Sequence, residues 1–484
     1  MNKYFLLAGV AAMLASCSNT DELTTTTAPE TQAAKSEVNF SIYTQRNVTR
    51  AGTAATITTE SLKTGAHAAD GFGVFAFYTD DSQYNPSASL PNFMYNQQVK
   101  WDGAKWSYEP VKYWPNEFGN AAVSDNVDYV SFFAYAPYVE VDPGTGLPKN
   151  GTGENEKNIT QLSRNTAAGD PIVKYVVDTD PKTSVDLLYA VCGADAKDTF
   201  GKTLNGEAVE LNEGESFIDL TKPVSPMAAG DSKIKFNLKH ALAKVSATVQ
   251  YVADADLNLT GPGTAHVGAG QTIDPAKTRI FIRSFKINGI EMKGALNLHV
   301  SNAGEPNWKD YDGLRDLEFS DDIVFCDGRK DGKEGTDNGE QKNEKPQGLN
   351  PALIQAADFT ANPGITAEAQ NLFASSGDVI GDYFYVIPRN GGEGVNVEIV
   401  YDIETIDPNL ATYISDGKTH GVSTQCHIKK ENIFGTDVDF KAGSAYDIKL
   451  FVGMTSVKVD ASVVDWAQTK AGSGLVPGNT EDQP

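Results

Sequence analysis

The side chains of this sequence that can do chemistry are mostly without partners at the spacing that chemistry needs. Gly201-Lys202-Thr203 has the end of a phosphate-binding loop, but Ala196 stands where the loop needs an earlier glycine, and no strand-to-helix context surrounds it. No G-x-S-x-G elbow occurs. His240 lies in a strand-like block at 236–245 with no nucleophile motif to serve, and reads as a structural histidine. Cys426 and His427 are adjacent, so on a strand they face opposite ways and make a poor dyad. The four cysteines, Cys17, Cys192, Cys326 and Cys426, form neither a CxxC pair nor a disulfide framework, and no metal site or cofactor is expected. The acidic loop at 327–346 misses the calcium-loop spacing and reads as solvated surface. Abundant carboxylates pair by chance, which leaves a two-carboxylate glycosidase open, but for want of any motif no enzyme is expected. Arg46 and Arg50 are of another kind. They stand four residues apart, in a chain that uses arginine sparingly, and read as places for a protease to cut rather than as catalysts.

The element ahead of those arginines is a half-buried strand. Val38, Phe40 and Ile42 point one way while Glu37, Asn39 and Ser41 point the other, the period of a pleated chain. Further upstream, Lys3, an apolar run at 5–14 and small residues form a secretory signal too short to span a bilayer. Leu14-Ala15-Ser16-Cys17 resembles the lipobox of bacterial lipoproteins, which places acylation (palmitate) on Cys17. Ser18-Asn19-Thr20-Asp21-Glu22 resembles a surface-export signal. Residues 23–35, rich in Thr, Ala and Pro, read as a tether. No other apolar run is long enough to span a membrane, so the lipid is the expected anchor.

A chain of 484 residues is too long for one ordinary core, and hydrophobic residues at 40% suffice for two. The net charge of −24 argues against nucleic acid and anionic lipid as partners. The body is a series of short strand-like runs at 72–78, 95–101, 106–108, 127–135 and 185–192, with Asp102-Gly103 marking a hairpin. Residues 212–231 break the pattern with Gly, Pro and Ser. A strand-rich block at 233–251 then opens what reads as a second domain, followed by strands at 279–287, 382–387, 395–403 and 445–452. The best helical candidate is 351–357. The fold class is therefore all-β, in sandwiches or barrels.

At the C-terminal end, residues 454–466 alternate, with Val457, Val459, Ala461 and Val463 on one face. The parity changes at Val464 and Trp466, and a bulge at Val463-Val464 would restore one face. Trp101, Trp106, Tyr108, Tyr113 and Trp114 form an aromatic cluster, read as core or interface rather than as a sugar platform.

With these pieces in hand, the chain resembles the fimbrillin family of Bacteroidales, the type V pilus subunits that include the major and Mfa-like fimbrillins. The resemblance runs in order through the lipobox, the strand with its arginines, Trp106-Ser-Tyr-Glu-Pro110 with Lys112-Tyr-Trp-Pro115, Phe236-Asn-Leu-Lys-His240-Ala-Leu-Ala-Lys-Val245, Asp382-Tyr-Phe-Tyr-Val-Ile-Pro388 and the Ala442-Gly-Ser-Ala-Tyr446…Trp466 ending. It implies two tandem transthyretin-like β-sandwich domains. The expected organisation is a signal peptide at 1–16, a lipidated propeptide with a temporary strand at 17–50, sandwiches at 51–230 and 231–466, and a polar tail at 467–484. It implies a structural pilus subunit supporting adhesion, lipidated on Cys17 at the outer membrane and then displayed in the surface fimbrium. Cleavage maps to Arg50-Ala51, with Arg46-Asn47 second. The removed strand maps to Val38, Phe40 and Ile42, and the donor strand to Val457, Val459, Ala461, Val463 and Trp466. Expected partners are further copies, related fimbrillins, an arginine-specific surface protease, and a host or bacterial surface ligand. The rival readings are a tip or anchor fimbrillin, and a glycan-binding surface lipoprotein that uses the Trp101–Trp114 aromatics.

Overall fold

Strand periodicity decides this architecture. A computed structural model describes residues 37–44, 57–80, 84–113, 129–149, 157–181, 183–191, 233–252, 277–300, 305–326, 349–354, 363–373, 383–389, 395–406, 409, 413–415, 418–420, 422–432, 440–454 and 457–464. Nearly all its regular structure is β.

One sheet has seven strands: β1 (Asn39–Thr44), β2 (Phe72–Asp80), β3 (Met94–Trp101), β4 (Trp106–Ser107), β5 (Tyr129–Ala136), β8 (Leu188–Val191) and β9 (Lys233–His240). Their spatial order is β1-β9-β8-β5-β2-β3-β4. A four-stranded sheet packs on it, in the order β13-β12-β7-β6, from β6 (Asn158–Leu162), β7 (Ile172–Val176), β12 (Lys293–Asn297) and β13 (Asn307–Lys309). Phe75, Phe77, Phe133, Tyr135 and Tyr189 of the larger sheet share a core with Val173, Tyr175, Leu296 and Trp308 of the smaller. The opposite face of the seven-stranded sheet is buried too, around Phe40, Phe72, Val74, Trp106, Phe132 and Phe236. This explains the near-continuous apolar run of β2. Phe72, Val74 and Ala76 enter one core, and Phe75 and Phe77 enter the other. A strand covered on both faces loses its polar alternation.

The remaining strands build a second pair of sheets. One joins β10 (Ala243–Tyr251), β15 (Gln370–Asn371), β16 (Tyr383–Val386), β21 (Ala445–Val452) and β22 (Val457–Val464), with β22 at its edge. The other runs β14-β11-β17-β20, from β11 (Thr278–Ile290), β14 (Asp321–Cys326), β17 (Asn396–Ile406) and β20 (Val422–Asn432). Phe325 packs on Phe373 and Phe384 with ring centroids 4.8 and 5.4 Å apart, which joins the two layers. A small hairpin, β18 (Tyr413–Ser415) and β19 (Lys418–His420), completes the strands of the described residues. The alternation in β10 is regular: Val245, Ala247 and Val249 are buried, and Ser246, Thr248 and Gln250 are half-buried.

Three sequence expectations meet a different outcome. The block at 233–251 does not open a separate sheet. β9 pairs with β8 and β1, and only after Ala241-Leu242 does the chain enter β10, while β12 pairs back to β7. Sheet pairing therefore crosses position 230/231. Of the helical candidate at 351–357, the described residues hold a 3-10 turn, Pro351–Leu353, and 355–357 lie outside the described residues. A five-residue helix, α1 (Thr59–Lys63), forms where none was expected. Thr58 caps it by accepting from the Ser61 amide, and the Ser61 hydroxyl accepts from the Thr58 amide. Third, no bulge forms at Val463-Val464. Pairing of β22 with β21 runs without a shift from Val457↔Val452 to Val464↔Ala445.

Candidate functional site: an edge strand in a closed groove

β1 is bound on both sides, although it is the edge strand of its sheet. Along one side it runs parallel to β9, in register from Asn39↔Lys233 to Thr44↔Leu238. On the other side the chain leaving β4 turns back to meet it. The Val38 amide donates to the Lys112 carbonyl at 2.9 Å, and Glu37 forms a bridge with Tyr113. The Tyr108 hydroxyl donates to the Val38 carbonyl at 2.7 Å and sits 3.3 Å from both the Lys112 carbonyl and the Lys112 amide. The sheet thus closes around its own first strand. Burial pushes the Tyr108 phenol up to about 12, so it remains a hydrogen-bond donor at neutral pH.

The side chains explain why β1 sits in this register. Val38 is fully buried, Phe40 is 2% exposed and Ile42 is 5% exposed. Phe40 occupies a box of four rings. It stacks on Phe236 with centroids 5.8 Å apart and 15° between planes, meets Phe72 and Phe132 edge-on at 6.3 and 6.1 Å, and leans on Tyr108 at 5.4 Å. A slip of one residue would turn all three apolar side chains out of the groove. At its far end, the Thr44 amide donates to the Thr59 hydroxyl at 2.9 Å and the Thr59 amide donates to the Thr44 hydroxyl at 3.1 Å. This reciprocal clasp ties the end of β1 to the start of α1. Thr44 and Thr59, the described residues that flank the segment carrying both arginines, are therefore held together.

Beneath the groove, Asp186 joins the pieces. Its carboxylate accepts from the Ile57 amide at 3.4 Å and lies 2.7 Å from His240 Nδ1 at the end of β9. His240 is thus a buried partner of a carboxylate. Nearby Lys244 is also buried. Its Nζ lies 3.7 Å from the Tyr383 ring centroid, and burial pushes its ammonium down to about 7, against the opposing pull of Asp186. Among the described residues no cluster of three or more His, Cys, Asp or Glu could hold a metal.

The aromatic cluster belongs to this groove. Trp106 is 5% exposed, packing on Phe72 at 5.2 Å and on Trp101 at 5.5 Å, and Tyr108 lines the box. Of the described members, Tyr113 alone is well exposed. Cys17, Arg46, Asn47, Arg50, Ala51, Trp114 and Trp466 lie outside the described residues. For Val459, Ala461 and Val463 the backbone is described, and Val457 is buried. The closing contacts from Tyr108, Lys112 and Thr59 were not foreseen from the sequence.

The fold and site define an all-β protein that holds its first strand between β9 and the chain that follows β4. No family model matches the chain. Over 248 residues it is 27% identical to the fimbrium subunit Fim1C of Phocaeicola vulgatus, covering 50% of this chain. The chain spans about half the length (50%) of that curated relative. Among solved structures, a fimbrial protein from Bacteroides vulgatus is similar at 19% identity and a TM-score of 0.46, over 89% of this chain and 99% of that one. The fimbrial anchor protein Mfa2 from Porphyromonas gingivalis is similar at 10% identity and a TM-score of 0.31, over 89% of this chain and 97% of that one. The likeness to Fim1C bears out the resemblance to the Bacteroidales fimbrillins.

Proposed function

We propose that this chain is a structural subunit of a surface fimbrium, and that β1 is a temporary occupant of the groove. The burial of Val38, Phe40 and Ile42, on a strand followed directly in sequence by Arg46 and Arg50, carries this reading. A sheet lacking that strand exposes unpaired amides and carbonyls on β9 and an apolar groove, which invite another strand. While tethered, β1 has an effective concentration of roughly millimolar or above, and an incoming chain competes poorly. Cleavage after Arg50, or after Arg46, lets the strand leave with the lipid on Cys17. The C-terminal stretch of a second copy, from Val457 to Trp466, then adds as a strand, with backbone pairing supplying affinity and alternate side chains filling pockets. On this reading the strands form two transthyretin-like sandwiches, the precursor is an outer-membrane lipoprotein, and the mature chain stands in the fimbrium and supports adhesion.

The test is the double variant Arg46→Ala/Arg50→Ala, expressed in cells that assemble fibres. The expected product is a secreted, monomeric precursor that keeps its N-terminal strand. Fibres of normal length from this variant would remove the basis of protease gating.

A further inference from the structure

Granted the exchange proposed above, we infer that Trp466 of a second copy is the anchor that takes the place of Phe40 in the aromatic box.

Register divides the C-terminal stretch into two parts. Val457, Val459, Ala461 and Val463 stand opposite Val452, Leu450, Ile448 and Tyr446 of β21, all four of which are buried. Those positions already belong to the core face of their own sheet. Val464 stands opposite Ala445, the first residue of β21, where pairing ends, and it lies on the other parity. No bulge brings it back to the first face. Val464 is thus the last residue that β21 pairs, and the second part of the stretch is the sequence from Val464 onward.

That part matches the groove. Val464-Asp465-Trp466 repeats the order of Val38-Asn39-Phe40: β-branched, polar, aromatic. Trp466 is also the single aromatic residue between Val452 and position 484. The box demands an aromatic ring. Phe72 and Phe132 are fully buried and Phe236 is 2% exposed, so an Ala or Val at the Phe40 position leaves an unfilled space that these rings cannot close. Setting Val459, Ala461 and Val463 onto Val38, Phe40 and Ile42 puts an alanine there. Setting Val464 and Trp466 onto Val38 and Phe40 fills it. Tyr108, half-buried on the outer side of the box, is the wall that yields to the larger indole.

Ser41 stands opposite Lys235 in the parallel pairing of β1 with β9. With Trp466 in the place of Phe40, Ala467 comes opposite Lys235 if the incoming strand runs parallel to β9, and Asp465 if it runs antiparallel. Full-length chains carrying Lys235→Cys are therefore co-assembled with chains carrying Asp465→Cys, Ala467→Cys, Asp460→Cys or Ser462→Cys. They are oxidised, and the linked peptides are identified by mass spectrometry, with single-cysteine chains as controls. The expected result is a disulfide from Lys235→Cys to Asp465→Cys or to Ala467→Cys. Alongside it, Trp466→Ala oligomers should dissociate about a hundred-fold faster or more, whereas Trp466→Phe oligomers stay near wild type. Disulfides to Asp460→Cys or Ser462→Cys alone overturn the anchor, as does a Trp466→Ala oligomer as long-lived as wild type, and that rate decides the matter where no disulfide forms. Both of those results leave strand exchange standing. Absence of oligomers from processed wild-type chain refutes the exchange itself, and the anchor with it.

Discussion

Replacing Phe40 by Ala should turn a tightly held first strand into a loosely held one. The ring is 2% exposed and touches four other rings, so its removal empties a box rather than trimming a surface. Truncating a buried Phe costs about 3–5 kcal/mol, which is a factor of roughly 10²–10⁴ in the docking equilibrium of the strand. To make the measurement independent of which arginine is cut, a site for a sequence-specific protease is placed within residues 45–56. After cleavage and dilution, release of the N-terminal fragment is followed by mass spectrometry. The Phe40→Ala fragment should leave about two to four orders of magnitude sooner than the wild-type fragment. In the uncut chain the tether keeps the strand mostly docked. Amide exchange at 39–44 should still accelerate by a similar factor while β10 and β21 remain unchanged. A fragment that leaves at the wild-type rate, or exchange that accelerates equally in all three strands, would refute the account of how β1 is held.

Tyr108→Phe keeps the ring against Phe40 and removes the hydroxyl from the Val38 carbonyl; a net loss of about 1 kcal/mol should speed fragment release about five-fold in the same assay. Lys244 should leave a pH signature. Burial lowers its pKa from 10.5 to about 7, so between those values the unfolded chain holds more protons and stability rises with pH. Thermal midpoints of wild type and Lys244→Met should therefore converge from pH 7 to pH 10, with the methionine variant the more stable at pH 7; parallel curves would contradict the burial argument. Deleting the chain from Val457 onward should stop elongation while near-ultraviolet circular dichroism of the seven-stranded sheet's aromatics persists, and continued polymerisation would place the donor elsewhere.

The parts of this fold that show in the sequence are those whose physics is local. Val38, Phe40 and Ile42 alternate because one face of β1 is buried, and that pattern needs no knowledge of partners. The hairpin of β3 and β4 is announced by Asp102-Gly103, with Gly103 at a φ of 103°. What stayed hidden depends on distant chain. The Gly-, Pro- and Ser-rich break at 212–231 looks like a domain boundary, yet β9 returns to β8 across it, and no local pattern records that return. α1 is too short for helical periodicity; its Thr58–Ser61 cap and the fully buried Leu62 hold it. The closing contact of Val38 with Lys112 lies between backbone groups, which every residue but proline can offer, so residue type carries no sign of it. Strands β6, β7, β12 to β15 and β18 to β20 carry no such local sign in the sequence reading; most are short or lie beside polar turns.

The two-residue link Ala241-Leu242 has a mechanical consequence. β9 holds the groove's occupant in parallel register over six residue pairs, and β10 holds β21 in parallel register over eight. A pull along the occupant loads its hydrogen bonds to β9 side by side rather than one after another. The load then passes through the covalent chain at Ala241, whose carbonyl is pinned by the Trp308 indole at 2.9 Å, straight into the strand that grips β21. Tension entering at the groove thus reaches the sheet that carries the C-terminal strand through one continuous piece of backbone, with no flexible joint between the two parallel grips.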